Sequence, residues 1–285
     1  MISTPASPFL APKQQFPVAG APAVRRRPTS TDGPLAGKTA LVTGASRGIG
    51  RGIAQRLAAD GALVVVHYRQ NRAAADDVVD SIRAAGGDAI PLQTELGVTG
   101  DAQTLYAGLD LELDRRGIEP RLDILVNNAA VSGSARMHEI TPELVDRILA
   151  VNVKALLFVI QEGLTRMREG GRIINISSAV TRIAYPESVV YSMSKGAMDT
   201  LTLALAKELG CRGITVNTVS PGFVATDMNA KLRTTPDGAA RLADMSVFER
   251  IGEPSDIAGI VAFLASPDSQ WMTGQRLDAS GGTNL

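Results

Sequence analysis

The sequence predicts an α/β fold: a single domain built on a doubly wound parallel sheet of about seven strands, with helices on both faces. From residue 35 onward, short runs rich in β-branched residues alternate with longer amphipathic stretches. The short runs are apolar on both faces, which is typical of strands buried between two layers of helices. No internal repeat or shift in composition marks a second domain. Right-handed crossovers between such strands produce a doubly wound sheet.

Each predicted element follows from this alternation. The strands are predicted, in chain order, at residues 39–43, 63–67, 89–92, 122–127, 172–177, 214–219 and 275–278. The clearest helices are predicted at residues 48–59, 73–85, 141–167 and 188–209. In such a sheet, ligands bind at the carboxyl ends of the strands, where the strand order reverses. We therefore look for functional residues just after each strand.

Composition excludes several classes of protein. Hydrophobic residues make up 45% of the 285 residues and charged residues 20%, the balance of a soluble globular protein. The 29 basic residues match the 29 acidic ones, which argues against electrostatic binding to nucleic acid. A single cysteine, Cys211, and two distant histidines, His67 and His138, argue against a disulfide framework and a metal site. No apolar run approaches the roughly 20 residues that span a bilayer. We expect a cytoplasmic protein with no metal and no membrane partner.

Residues 1–35 differ from the predicted domain at residues 36–285. They are rich in Pro, Ala, Ser and Thr and have no periodic apolar face, so we expect a disordered tail. Their basic residues are Lys13 and the arginines at 25–27, and their one acidic residue is Asp32. A basic segment poor in acidic residues is also typical of a targeting peptide, which is the alternative. The prolines argue against an amphipathic targeting helix. We expect the tail to play no part in catalysis or assembly.

A glycine-rich turn follows the first predicted strand. Residues 43–50 read TGASRGIG and lead directly into a helix. Glycines permit a tight turn and a close approach by a pyrophosphate, and the helix N-terminus presents free N–H groups to it. The spacing G-x-x-x-G-x-G differs from G-x-G-x-x-G, and a plain strand-to-helix turn is the alternative. Its place on the first strand favours dinucleotide binding.

This turn is one of five motifs that closely resemble the short-chain dehydrogenase/reductase family. The others are NNAA at residues 127–130, Ser178, YSMSK at residues 191–195, and PG at residues 221–222. They stand in the family's order and cover the chain from about residue 35 to 285. Residues 250–254 and 271–275 are similar to the branch that contains β-ketoacyl carrier-protein reductases and bacterial sugar and alcohol dehydrogenases. The resemblance implies a Rossmann-like fold and a homotetramer built on the two long helices.

The predicted catalytic group is Ser178, Tyr191 and Lys195. Tyr191 and Lys195 are four residues apart on a predicted helix, so they share one face. A nearby ammonium is expected to lower the phenol pKa from its usual value near 10. Ser178 ends the fifth strand and would hydrogen-bond a substrate oxygen. By resemblance, Asn152 anchors a water chain to Lys195. Taken alone, the Tyr–Lys pair would also fit an amphipathic helix without chemistry.

The resemblance also assigns a nucleotide site. Its predicted residues are Gly44, Ser46, Arg47, Gly48, Ile49, Gly50, Tyr68, Arg69, Glu95, Leu96, Asn128, Ala129, Tyr191, Lys195, Pro221, Gly222, Val224 and Thr226. Two positions depart from the family pattern: Glu95-Leu96 replaces Asp-Val, and Ala130 replaces Gly. The second strand ends without an acidic residue, while Arg47 and Arg69 supply guanidinium groups suited to a 2′-phosphate. We therefore expect NADP(H) rather than NAD(H), with solvated loop arginines as the alternative.

Together these residues predict hydride transfer between nicotinamide and a ketone or secondary alcohol. A 3-oxoacyl thioester is one candidate substrate; a sugar, small-alcohol or polyketide ketone dehydrogenase using NAD is the alternative. A non-catalytic binding protein on the same fold is the third reading. Residues 226–248 are predicted to form an apolar substrate lid. A carrier-protein substrate would need a basic docking patch, for which Arg136, Arg182 and Arg233 are the candidates.

Overall fold

The computed structural model describes residues 33–285. The tail predicted over residues 1–35 lies outside these residues except for its last three. Leu35 is 1% exposed, packs into the core, and its N–H donates to the Asp60 carbonyl oxygen at 2.9 Å. An apolar side chain buried in this way belongs to the folded body, so Leu35 packs with the domain although the predicted tail includes it.

The sheet has seven parallel strands in the order β3-β2-β1-β4-β5-β6-β7, which confirms the predicted doubly wound fold. The order reverses between β1 and β4, so the site is expected at their carboxyl ends. The strands are β1 Thr39–Val42, β2 Leu63–Tyr68, β3 Asp88–Gln93, β4 Leu122–Asn127, β5 Met167–Ile176, β6 Thr215–Pro221 and β7 Arg276–Ala279.

Helices cover both faces of this sheet. They are α1 Gly48–Ala59, α2 Arg72–Ala84, α3 Asp101–Asp114, α4 Pro142–Leu149, α5 Leu156–Gly163, α6 Val189–Leu209, α7 Pro236–Asp244 and α8 Pro254–Ala265. Because successive strand residues point to opposite faces, the core has two layers. Val42 of β1 packs with α1, α2 and α8, whereas its neighbour Leu41 packs with α3, α5 and α6.

The long helix predicted over residues 141–167 is wrong in two ways. A π-helical segment, Ala150–Ala155, separates α4 from α5, and the helix ends at Gly163. Met167 instead begins β5, where it pairs with Leu122 and is 3% exposed. The apolar pattern of the preceding residues predicts that the helix continues to Met167, but pairing with Leu122 and burial in the sheet place Met167 in β5.

Among residues 33–285, no helix has the length and hydropathy needed to cross a bilayer. Over the same residues, no group of three or more His, Cys, Asp and Glu side chains is placed to hold a metal ion. Neither statement extends to residues 1–32.

Candidate active site

The catalytic residues predicted from the sequence converge beyond the carboxyl end of β5. Ser178 lies two residues after this strand and caps a short 3-10 turn, where its hydroxyl accepts the Val180 N–H at 3.3 Å. Tyr191 and Lys195 lie in the first two turns of α6. The sheet edge and the helix start therefore bring all three side chains to one place.

Lys195 is a buried lysine, only 2% exposed. Its ammonium donates to the Ile176 carbonyl oxygen at 2.7 Å and lies 5.7 Å from the centroid of the Tyr191 ring. Burial lowers the pKa of Lys195 to about 8, an effect that the negative charge of Asp199 partly opposes. Lys195 therefore carries its charge at neutral pH, close to the phenol.

The pKa of Tyr191 shifts in the direction opposite to the sequence prediction. Burial raises the pKa of Tyr191 to about 12, and a hydrogen bond with Ser178 works against this rise. Burial prevails over the lysine because Lys195 is directed at the Ile176 carbonyl. At neutral pH the phenol is therefore protonated, and its hydrogen bond with Ser178 places it where both hydroxyls can reach one oxygen atom.

Asn152 lies in the π-helical segment and is 1% exposed. Its side chain accepts the Val131 N–H and donates to the Val131 carbonyl, both at 2.9 Å, and donates to Ser194 Oγ at 3.0 Å. Ser194 in turn donates to the Tyr191 carbonyl oxygen at 2.7 Å. Asn152 thus joins the loop after β4 to the helix that carries Tyr191. Its predicted link to Lys195 through water stays a prediction.

The glycine turn between β1 and α1 has the shape of an anion cradle. Gly44 and Gly48 adopt positive φ of 64° and 54°, and a side chain at Gly50 would collide with the Gly44 carbonyl oxygen. Arg47 occupies the N-cap of α1 without a side-chain cap, and no acidic residue stands in the first turn. The free N–H groups at this helix N-terminus therefore suit a nucleotide pyrophosphate.

Two predicted cofactor residues hold the glycine turn through hydrogen bonds to its first residues. Asn128 donates from its amide to the carbonyl oxygens of Thr43 at 2.9 Å and Gly44 at 3.0 Å. The Ala129 N–H donates to Thr43 Oγ1 at 3.0 Å, and its Cα lies 3.0 Å from an added Cβ at Gly44. These contacts fix the turn's shape, so both residues act on a bound nucleotide mainly through the turn.

His67 is a residue of this site that sequence reasoning missed. It is 2% exposed at the end of β2, where Nδ1 accepts the Gly44 N–H at 3.0 Å and Nε2 lies 2.9 Å from the Thr94 carbonyl oxygen. Burial lowers the pKa of His67 to about 4, so the ring is neutral and its proton resides on Nε2. One imidazole therefore ties the glycine turn to the ends of β2 and β3. The sequence feature that could have indicated this role of His67 is a polar residue at the end of an otherwise apolar predicted strand.

The side chains of Tyr68 and Val224, both predicted to bind the nucleotide, lie in the core. Tyr68 is 2% and Val224 4% exposed, and both pack into the core layer of α1, α2 and α8. The Tyr68 carbonyl accepts the Thr94 N–H, and the Val224 carbonyl accepts from Asn229. Contact of these two residues with a nucleotide stays a prediction.

The arginines predicted to select the nucleotide are exposed and lie in ion pairs. Arg69 contacts Glu95 at 2.9 Å and Arg47 contacts Asp227 at 3.4 Å. Exposed pairs of this kind contribute up to about 1 kcal/mol, so a phosphate dianion can displace either carboxylate. Both guanidinium groups are therefore available to an anion at the nucleotide site.

The remaining predicted cofactor residues occupy the same edge of the sheet. Thr226 packs against Gly48, where an added Cβ would lie 3.1 Å from its methyl group. Pro221 ends β6 and is buried. The half-buried positions are Ser46, Ile49, Leu96 and Gly222. Of these residues, Ser46 and Ile49 belong to the glycine turn itself, and Thr226 contacts the turn at Gly48.

A family model described as enoyl-(acyl carrier protein) reductase matches residues 44–284. The chain belongs to the short-chain dehydrogenase/reductase family. As a member, it is an NAD(P)-dependent oxidoreductase.

Named relatives of this short-chain dehydrogenase/reductase are reductases. It is 39% identical to versicolorin reductase stcU of Emericella nidulans, over 87% of this chain and 96% of that protein. It is 38% identical to a probable tetrahydroxynaphthalene reductase of Zymoseptoria tritici, over 87% and 94% respectively. Its structure resembles that of the angucycline C-6 ketoreductase LanV with bound NADP, with a TM-score of 0.85, 50% identity and coverage of 88% and 97%.

Proposed function

We propose that this protein is an NADPH-dependent ketoreductase that acts on a polycyclic aromatic ketone of the polyketide type. The observation that carries the proposal is the contact of Ser178 with Tyr191 beside the buried Lys195. Similarity to reductases named for polycyclic aromatic compounds, and to a ketoreductase solved with NADP, supports the cofactor and the substrate class.

In this mechanism bound NADPH supplies the hydride to the carbonyl carbon. Ser178 donates a hydrogen bond to the carbonyl oxygen and polarises it. Tyr191 then gives its proton to the same oxygen, which becomes the alcohol. The positive charge of Lys195 stabilises the phenolate that Tyr191 leaves behind. Removal of Tyr191, Lys195 or Ser178 would therefore act on the chemical step.

The surroundings of Ser178 favour an aromatic substrate. Tyr185, seven residues after Ser178, packs its ring edgewise on Phe223 with centroids 5.9 Å apart, and its hydroxyl donates to the Met245 sulfur at 3.3 Å. These side chains join the loop of Ser178 to the end of the lid. Aromatic rings and a thioether form a wall suited to a flat apolar molecule.

The arginines considered for carrier-protein docking are already paired within the chain. Arg136 contacts Glu187 at 2.6 Å, Arg182 contacts Asp278 at 2.8 Å, and Arg233 donates to the Thr226 carbonyl at 2.9 Å. Arg136 and Arg182 pair with carboxylates and Arg233 donates to a backbone carbonyl, and pairs of this kind at the surface are weak enough for an acidic partner to displace. The thioester arm of a substrate screen therefore decides between a free ketone and one attached to a carrier.

A substrate screen tests the proposed function. NADPH consumption is followed with polycyclic aromatic ketones, 3-oxoacyl thioesters and small sugar-derived ketones at equal concentrations. We expect the highest kcat/KM with the aromatic ketones. Preferential turnover of the thioesters or sugars would overturn the proposed substrate class, and turnover with none of them would overturn the proposed function.

Arg69 is expected to recognise the 2′-phosphate of NADPH. Arg69→Glu should weaken NADPH binding by about tenfold or more and change NADH binding by less than about twofold, because only NADPH carries the phosphate. Calorimetric titration of both nucleotides measures this. Arg115→Glu serves as the matched control, since Arg115 is similarly exposed and pairs with Glu112 at the C-terminal end of α3. Equal effects on both nucleotides would show that Arg69 is a solvated loop residue.

We further propose a homotetramer. Apolar side chains stay exposed on α5 and α6: Phe158 is 37%, Met193 59% and Leu203 60% exposed, and Trp271 beyond α8 is 97% exposed. Pairing these helices across two-fold axes would bury this surface. Light scattering on the full chain and on a variant lacking residues 1–32 should give the same mass, about four times one chain. A monomer in either sample would contradict the proposal.

We propose a cytoplasmic location because the sequence contains a single cysteine, Cys211, and therefore no disulfide framework. Proteins of oxidising compartments more often carry paired cysteines. Fractionation of cells that produce the protein, with detection by antibody, checks the location.

A further inference from the structure

Residues 280–284, which we call the C-terminal turn, follow β7 and are held in one conformation. Gly281 and Gly282 adopt positive φ of 64° and 68°. The Ser280 N–H donates to Asp278 Oδ1 at 3.0 Å, and the Thr283 N–H donates to Ser280 Oγ at 3.2 Å. Ser280 and Thr283 are 7% and 2% exposed. The C-terminal turn is therefore held by its own hydrogen bonds and by the burial of Ser280 and Thr283.

The C-terminal turn holds the end of the lid. The Val247 N–H and the Ser246 hydroxyl both donate to the Gly281 carbonyl oxygen, at 3.0 and 2.8 Å. The Asn284 N–H donates to the Met245 carbonyl oxygen at 3.0 Å. A Cβ added to Gly282 would lie 2.8 Å from a methyl group of Val247. With the positive φ of Gly282, a larger residue here would be strained and would displace the Val247 side chain.

The same turn contacts the loop of Ser178. Arg182, four residues after Ser178, donates to the Thr283 carbonyl oxygen at 2.7 Å and to Asp278 at 2.8 Å. The Arg182–Asp278 pair lies at the surface, with 28% and 37% of the two side chains exposed. Arg182 therefore links the end of the chain to the segment that carries the catalytic serine.

The third contact is with the loop after β6. A Cβ added to Gly222 would lie 2.7 Å from both the Ser280 carbonyl oxygen and Thr283 Oγ1. Gly222 follows directly on Pro221, the last residue of β6. The C-terminal turn therefore touches the lid, the Ser178 loop and the loop after β6, the segments predicted to surround a bound ketone.

We propose that the C-terminal turn is the positioning element of the substrate site, setting the lid and the Ser178 loop at the distance that the ketone requires. The proposal rests on the ketoreductase function proposed above. Tyr185, on the segment that follows Ser178, contacts Met245 of the lid, and Met245 is fixed to the turn through Asn284. A displacement of about 1 Å at such a contact can lower the rate about 100-fold. The last residues of this chain thereby determine how well the ketone is bound and turned over.

Gly282→Ala is the test variant, and Gly117→Ala is its matched control. Gly117 has a φ of 64°, and no atom lies within 4 Å of a Cβ added there. Both variants bear the same backbone strain, so their difference reports the contact with Val247. We expect Gly282→Ala to raise the ketone KM by about tenfold or more relative to Gly117→Ala. The Kd for NADPH should stay equal in the two variants.

Hydrogen exchange supplies a readout that does not depend on activity. In Gly282→Ala the amides of residues 245–248 should exchange faster than in Gly117→Ala, while those of β1 and β4 stay unchanged. If Gly282→Ala does not fold, Arg182→Gln is tested in its place. We expect Arg182→Gln to have a lower kcat than the wild type and the same Kd for NADPH.

Equal ketone KM and equal lid exchange in the Gly282→Ala and Gly117→Ala variants would overturn the proposal. A parallel loss of NADPH affinity in Gly282→Ala would also overturn it, because the turn would then serve the nucleotide site. If the wild-type enzyme reduces no ketone, the proposed function is overturned instead. Hydrogen exchange of the lid amides then tests the positioning role by itself.

Discussion

Replacement of Tyr191 by phenylalanine is expected to lower kcat for ketone reduction by at least about 100-fold, the scale of general acid catalysis. The variant loses the hydroxyl that contacts Ser178 and lies beside Lys195. The phenyl ring keeps its volume, so the Kd for NADPH should change by less than about twofold. Steady-state kinetics and nucleotide titration measure the two effects.

Tyr185→Phe is the matched control for this experiment. Its hydroxyl bonds the Met245 sulfur and has no part in proton transfer, so its loss should affect the ketone KM more than kcat. A Tyr191→Phe enzyme with near wild-type kcat would contradict the assigned proton donor. An equal loss of kcat in Tyr191→Phe and Tyr185→Phe would mean that the rate depends on how the aromatic side chains are placed, and not on proton transfer from Tyr191.

Lys195→Met is expected to abolish turnover and, at neutral pH, to stabilise the fold. The pKa of Lys195 is about 8 in the folded protein, below the ordinary value of 10.5, so the unfolded chain holds this proton more tightly. The resulting cost to folding is about 3 kcal/mol and is fully present below pH 8. It disappears as pH rises from 8 to 10.5. Loss of the bond to the Ile176 carbonyl offsets about 1 kcal/mol of this gain.

Urea unfolding at pH 7 and pH 10.5 checks the sign of this effect. Lys195→Met should be about 2 kcal/mol more stable than the wild type at pH 7, and this advantage should be lost at pH 10.5. Lys207→Met, at an exposed position on the same helix, should change stability little at either pH. A Lys195→Met protein that is less stable at pH 7 would show that the buried charge does not strain the fold.

Local patterns predicted the elements that depend on local chemistry. The glycine turn and α1 were predicted with the correct ends, because glycine spacing and an apolar period of 3.6 residues determine both. Lys195 and Tyr191 were placed together by their spacing on one helix. The parallel sheet followed from strands that are apolar on both faces.

Features that depend on tertiary contacts could not be predicted in this way. The start of β5 at Met167 is fixed by pairing with Leu122, far away in the sequence. The raised pKa of Tyr191 depends on burial, and the inward direction of Tyr68 depends on core packing. The bridge made by His67 joins the ends of two strands to the glycine turn, and spacing alone does not reveal such contacts.

Transfer of deuterium from NADPH labelled at C4 of the nicotinamide tests the central claim most directly. The labelled nucleotide is incubated with enzyme and an aromatic ketone, and the product alcohol is analysed by NMR and mass spectrometry. The two C4 hydrogens of NADPH are labelled in separate samples. The account predicts one deuterium on the new carbinol carbon from one of these samples, with none exchanged into water, and retention of the label in NADP⁺ from the other. An alcohol formed without deuterium from both samples would contradict hydride transfer at the Ser178–Tyr191–Lys195 site.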